Sequence, residues 1–176
     1  ITIRLANFVD AWIMGEYAQI FLNSSKLVIG TLILNLTVSG LAGFSLAKLY
    51  PRGSNAFLVY LLVGVSIPAQ MFILPLFLMW KELGLMNTHL GLIIIYAGLN
   101  APFATFLIRS YMIQLPDELF DAAKIDGANT LQLFYRIALP ISWPVFLTTG
   151  LVVGLAVWNE FLFALTFVHD DSKKPI

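Results

Sequence analysis

The sequence contains no cysteine, which excludes disulfides, thiolate catalysis and cysteine-ligated metals. Histidine is nearly absent too: only His89 and His169 occur, both near the ends of apolar runs. They read as interfacial or loop residues, and no metal site is expected. Charge is scarce, at 11% of residues, against roughly a quarter in an average soluble domain. Ten basic and ten acidic residues cancel, so there is no nucleic-acid footprint. No GxxxxGK[ST] phosphate loop is present, and no catalytic constellation of nucleophile, base and orienting group stands out. The chain is therefore expected to be no enzyme and to carry no cofactor; any energy it uses must come from elsewhere.

What the sequence has in abundance is apolar surface. Hydrophobic residues make up 59% of the 176, with a mean hydropathy of +0.86. Four runs are long and apolar enough to cross a hydrocarbon core of roughly 30 Å: 27–47, 57–80, 90–108 and 145–168. The first has no charge, and its polar residues, such as Thr31, Asn35 and Ser39, can bond within a bundle. The second carries Pro68 and Pro75 with Gln70 between them, a pattern that predicts a kinked helix with Gln70 as its polar group. The third holds Asn100, Ala101 and Pro102 in its interior. In the fourth, Gly150 and Gly154 form a small-xxx-small face, and Glu160 is the only charge inside any span. Residues 1–25, with Arg4, Asp10 and Glu16, read as an interfacial or external loop with one short helix. The start at Ile1 and the closing polar turn HDDSKKP suggest a fragment, a single transmembrane domain over 1–176. Basic residues divide evenly between the two sides, so charge alone does not orient the spans.

One polar interruption organises the rest, 115–144, read as LPDELFDAAKIDGANTLQLFYRIALPISWP. Pro116 followed by Asp117 and Glu118 is a helix-start signal. A short helix over 117–125 is predicted, with Leu119, Phe120, Ala123 and Ile125 as its apolar side. Asp126-Gly127 breaks it. Asn129 and Gln132 then form a capping-box pattern for a second helix over 130–138, ending at Leu139-Pro140. The residues alone leave two readings open, a docking element for a partner or an ordinary amphipathic interfacial loop.

Asp121-Ala122-Ala123-x-x-Asp126-Gly127-Ala128, followed by Phe134, Ile137, Leu139-Pro140 and Pro144, resembles the EAA loop of ABC importer permeases. The pattern departs from the family's at one place, where Asp121 stands for the usual Glu. The likeness extends to Asn23-Ser24, Phe44-Ser45-Leu46-Ala47, Arg109-Ser110-Tyr111 and Trp158-Asn159-Glu160-Phe161, which are similar to the carbohydrate branch with its maltose-type and glycerol-phosphate-type permeases. There the chain looks like the shorter, second subunit of a heterodimeric pair.

The resemblance implies an all-α membrane protein with the type I ABC importer permease fold: four transmembrane helices here plus a cytoplasmic coupling helix, in a multi-pass protein of a bacterial or archaeal inner membrane. Its implied partners are an ATP-binding-cassette ATPase dimer that hydrolyses the ATP, a second homologous permease subunit, an extracytoplasmic solute-binding protein and membrane lipid. By carry-over, Asp121 pairs with a basic group on the ATPase, and Ala122, Ala123, Asp126, Gly127 and Ala128 form the contact and turn. Gln70, Trp158, Asn159 and Glu160 are the candidates for lining the path of a sugar or sugar-like solute; the other reading of Glu160 is that it only locks helix to helix or pairs with a residue of the partner subunit. The alternative function is a stand-alone secondary transporter or channel, with Glu160 as its ion or proton site.

Overall fold

The computed structural model describes residue 15, residues 17–170 and residues 173–175. Arg4, Asp10, Glu16 and Asp171 lie outside the described residues. Every regular element among the described residues is helical.

Helix α1 (Tyr17–Phe44) runs on through a π-helical turn, Ser45–Leu49. It begins well before the apolar run at 27–47, so residues 17–25 are the first turns of this long helix rather than part of a loop with a separate short helix. Their polar character misleads because Asn23 and Ser24 are buried. One turn apart, Leu27, Thr31, Asn35, Ser39 and Gly43 line the face that packs on α4 (His89–Ile113). Small side chains let the two helices approach closely. A Cβ on Gly43 would lie 3.1 Å from Ile108 Cγ2 and 3.2 Å from the Arg109 nitrogen.

Pro102 lies inside α4, where it has no N–H to give the carbonyl of Gly98 and crowds the preceding turn. Side chains supply donors around this weak point. Asn35 Nδ2 donates to Ala97 O at 2.9 Å, Ser39 Oγ to Ala101 O at 3.3 Å, and Asn100 Nδ2 to Tyr96 O at 2.8 Å.

Residues 57–80 are two helices rather than one kinked helix. Helices α2 (Ser54–Ser66) and α3 (Ile73–Glu82, entered through the 3₁₀ turn Ala69–Phe72) meet at 96°. The cause is Pro68: it disfavours helical angles at the preceding residue, and both Ile67 (ψ 126°) and Pro68 (ψ 126°) are extended. Pro75 falls in the first turn of α3, where a missing N–H costs nothing.

Helices α5 (Asp117–Ile125) and α6 (Thr130–Ile141) form the polar loop, and α6 meets α7 (Trp143–Trp158) at 77°. The second loop helix thus outruns the predicted end at Leu139-Pro140. A π-helical turn at Phe134–Ala138 restarts the helix so that Pro140 sits in a first turn. The fourth apolar run is also interrupted: α7 stops at Trp158 and α8 (Leu162–Phe167) comes after the break. Gly150 and Gly154 rest against Leu36 and Leu32 of α1, at 3.5 and 3.6 Å from where their Cβ atoms would be.

Among the described residues, two helices, Tyr17–Leu49 and His89–Ile113, are long and apolar enough to cross a membrane, and up to four spans result if each bent pair counts as one. The core divides into two clusters, one around Trp80, Tyr96, Val153 and Phe167, the other around Phe44, Ile108, Phe120, Phe134 and Phe146. The second cluster seats the polar loop.

Candidate functional site

Helix α5 starts at Pro116, whose ψ of 131° is extended, and places Asp117 and Glu118 in the first turn and Lys124 in the last. Both arrangements favour the helix dipole. Its end is a Schellman closure: Gly127 N–H donates to Lys124 O at 3.0 Å and Ala128 N–H to Ala123 O at 2.9 Å. Gly127 has φ +84°, which a side chain at this position would strain. Beyond it the capping box forms: Gln132 N–H donates to Asn129 Oδ1 at 2.9 Å, and Asn129 N–H to Gln132 Oε1 at 2.8 Å.

The apolar residues of α5 split between two faces. Phe120 is 3% exposed and lies 6.1 Å, centroid to centroid, from Phe44, which stands 5.5 Å from Phe134. Ala123 packs beside this aromatic group. Leu119, Ala122 and Ile125 point outward instead, with Ile125 87% exposed. The predicted single apolar side is therefore an inward anchor and a separate outward surface, because 120 and 123 share one face of a helix while 119, 122 and 125 drift to another.

Asp121 is exposed and bonds Lys124 Nζ at 2.9 Å. A solvent-exposed i,i+3 pair is worth about 0–1 kcal/mol, so the carboxylate can exchange this partner for another at little cost. Ala123, Asp126, Gly127 and Ala128 line an open depression of roughly 320 Å³, together with Gln132, Arg136 and Ile137. Four of the six residues singled out in this loop thus share the depression, with the Asp126 carboxylate among them, while Asp121 and Ala122 are exposed on α5 outside its lining.

The four path candidates are not gathered in the same way. Gln70 is exposed in the elbow between α2 and α3, and no hydrogen bond among the described residues joins it to the other three. Trp158 meets Phe21 edge-on at 5.5 Å, and Asn159 Nδ2 donates back to Leu155 O at 2.7 Å. Glu160 occupies the break between α7 and α8. Its Oε1 accepts from Leu162 N–H (3.0 Å) and Phe163 N–H (3.1 Å), and its Oε2 from Tyr96 O–H (2.8 Å) and Ala164 N–H (3.4 Å). The carboxylate caps α8 and ties it to α4. Both oxygens are engaged by the chain's own donors.

Sequence reasoning misses two anchors of the loop, Phe120 and Lys48. Phe120 is legible only as one of four apolar residues, and Lys48 lies 69 positions from its partner Asp117.

The family described as "Binding-protein-dependent transport system inner membrane component" matches residues 39–171. A probable ABC transporter permease protein, YurM of Bacillus subtilis, is 36% identical over 97% of this chain and 56% of its own length. The arabinooligosaccharides transport system permease protein AraQ of Halalkalibacterium halodurans is 34% identical, over 97% of this chain and 61% of that protein. The diacetylchitobiose uptake system permease protein NgcG of Streptomyces coelicolor is 31% identical over 97% and 56%. The chain thus spans little more than half the length of these relatives. The crystal structure of a bacterial ABC transporter involved in the import of the acidic polysaccharide alginate superposes with a TM-score of 0.81 at 25% identity, over 89% of this chain and 55% of that one.

Proposed function

The chain belongs to the family of binding-protein-dependent transport system inner membrane components, and from that membership and the geometry of the 115–144 loop we propose that it is part of the permease subunit of an ATP-driven importer of sugars or sugar-like solutes. The observation that carries the reading is the two-faced helix α5. Phe120 fastens it into the core formed by α1, α4, α6 and α7, while Asp121, Ala122 and Ile125 are left outward beside a shallow small-residue depression. A surface of this kind suits docking by a second protein. In this reading the loop is a cytoplasmic EAA coupling element seated on a separate ATPase subunit, which hydrolyses the ATP. Asp121 exchanges Lys124 for a base of the ATPase. A homologous permease and an extracytoplasmic binding protein complete the importer in a cytoplasmic membrane, and α2, which buries only Leu61, offers apolar surface for lipid or the second permease. The sugar assignment rests on the chitobiose, arabino-oligosaccharide and alginate relatives.

The stand-alone carrier with Glu160 as ion site finds no support in the family. The engagement of both Glu160 oxygens leaves such a role no free acceptor.

The test uses the complete permease assembled with its ATPase. Asp121→Lys removes a charge-pair partner and is expected to weaken ATPase association by about 30-fold, the equivalent of about 2 kcal/mol. Gly127→Leu strains a left-handed position by about 1–2 kcal/mol and is expected to reduce it comparably. Unchanged co-purification of the ATPase with both variants would sink the coupling assignment.

A further inference from the structure

Lys48 is charged, yet its side chain is only 4% exposed. It stands in the π-helical turn at the foot of α1. Its ammonium donates to the carbonyl oxygen of Leu115 at 2.6 Å and to Asp117 Oδ1 at 2.6 Å, and lies 5.2 Å from the centroid of the Phe120 ring. Two of its three protons thus meet oxygens, and the ring face attracts the remaining positive charge. A desolvated ammonium is costly unless it is paired in this way.

The three partners are parts of one junction. Leu115 ends the link from α4, Asp117 opens α5, and Phe120 is the residue that seats α5 in the core. The π turn inserts one extra residue, which rotates the end of the helix by about 100° relative to an unbroken one; that rotation brings position 48 to the junction. Arg109 Nε donates to Leu46 O at 3.3 Å, so α4 holds the same turn from its other side. Without Lys48, the link at 114–116 would join α5 to the spans through Phe120 and Leu115 packing and the N–H bonds of Gln114 and Leu115 back to Tyr111 O and Met112 O, with no side chain of α1 bonded to it.

We propose that Lys48 is a positioning residue that makes α1 and the first loop helix a single body, so that displacement of α5 by its partner reaches the spans instead of being absorbed at 114–116. This rests on the coupling function proposed above and names the mechanical joint it requires. Asp117, at the dipole-favoured start of α5, is the second half of the joint.

The experiment uses the complete permease with its ATPase, any cysteine outside these 176 residues and in the ATPase being replaced first, spin-labelled at Ile29→Cys on α1 and Glu118→Cys on α5, both exposed positions. Pulsed dipolar spectroscopy reads the separation with and without MgATP-vanadate. With Lys48, and with Lys48→Arg, a single narrow peak is expected in both states. Lys48→Met is expected to split or broaden it in both, with the ATPase still bound. Asp117→Asn keeps the Leu115 bond and should broaden it less, which preserves the test if Lys48→Met does not fold. A narrow peak in both Lys48→Met and Asp117→Asn overturns the proposal, as does equal broadening by Lys48→Arg, or loss of the ATPase from Lys48→Met. If the unsubstituted permease binds no ATPase, the coupling function fails, while the peak widths in the permease alone still decide the joint.

Discussion

Glu160→Ala is expected to destabilise the protein by about 3 kcal/mol, read as thermal unfolding in detergent. Removing an N-terminal cap costs about 0.5–2 kcal/mol, and a buried donor left without its acceptor adds about 1–3 kcal/mol. Both apply here. The first-turn N–H groups of α8 lose their acceptor, and so does the hydroxyl of Tyr96, a residue 2% exposed. Glu160→Gln keeps one acceptor oxygen and should cost about 1 kcal/mol, the net worth of a single hydrogen bond. The graded loss is what a structural cap requires. An ion or proton site would give the opposite pattern: Glu160→Gln would leave stability intact and abolish transport.

Gly91→Ala is expected to cost about 3 kcal/mol by the same measurement, at the upper end of the range for overpacking. The new methyl would collide with the backbone carbonyl of Leu85 and lie 2.9 Å from Trp80 Nε1. Neither neighbour can retreat cheaply. Leu85 O accepts from the hydroxyl of Thr88, which in turn caps α4 by accepting from Gly91 N–H, and Trp80 Nε1 donates to Gly91 O at 3.1 Å. Gly98→Ala provides the control. A Cβ there meets nothing within 4 Å, and exchanging this mid-helix glycine for alanine should raise stability by about 0.5–1 kcal/mol instead of lowering it.

These two sites also mark where sequence reasoning stops. The long spans α1 and α4 are legible because charge-free length is a sufficient signal. The start of α5, its stop at Gly127 and the Asn129–Gln132 capping box are legible because each is a local contact within four residues. The break at 159–161 contains no Pro or Gly; a side chain, Glu160, and a distant partner, Tyr96, stabilise it, and hydropathy carries no trace of either. The elbow at Pro68 reads only as a kink, because composition gives the presence of a bend but not its 96°. Asn23 and Ser24 look like loop residues, since burial of polar groups depends on neighbours brought from the far end of the chain. Lys48 looks like a span-closing charge for the same reason. In the loop, the residue types are legible but the division between inward Phe120 and outward Ile125 is not, since only packing decides it.

The central claim, that the outward face of α5 docks an ATPase, is tested most directly by site-specific cross-linking in membranes holding the complete permease and its ATPase. Ala122→Cys lies on the exposed face of α5, and Leu151→Cys is 69% exposed on the side of α7. The expected result is a cross-link to the ATPase from position 122 that changes in yield with MgATP, and none from position 151. A cross-link from 151 without one from 122, or none from 122 in an assembled and active complex, would contradict it.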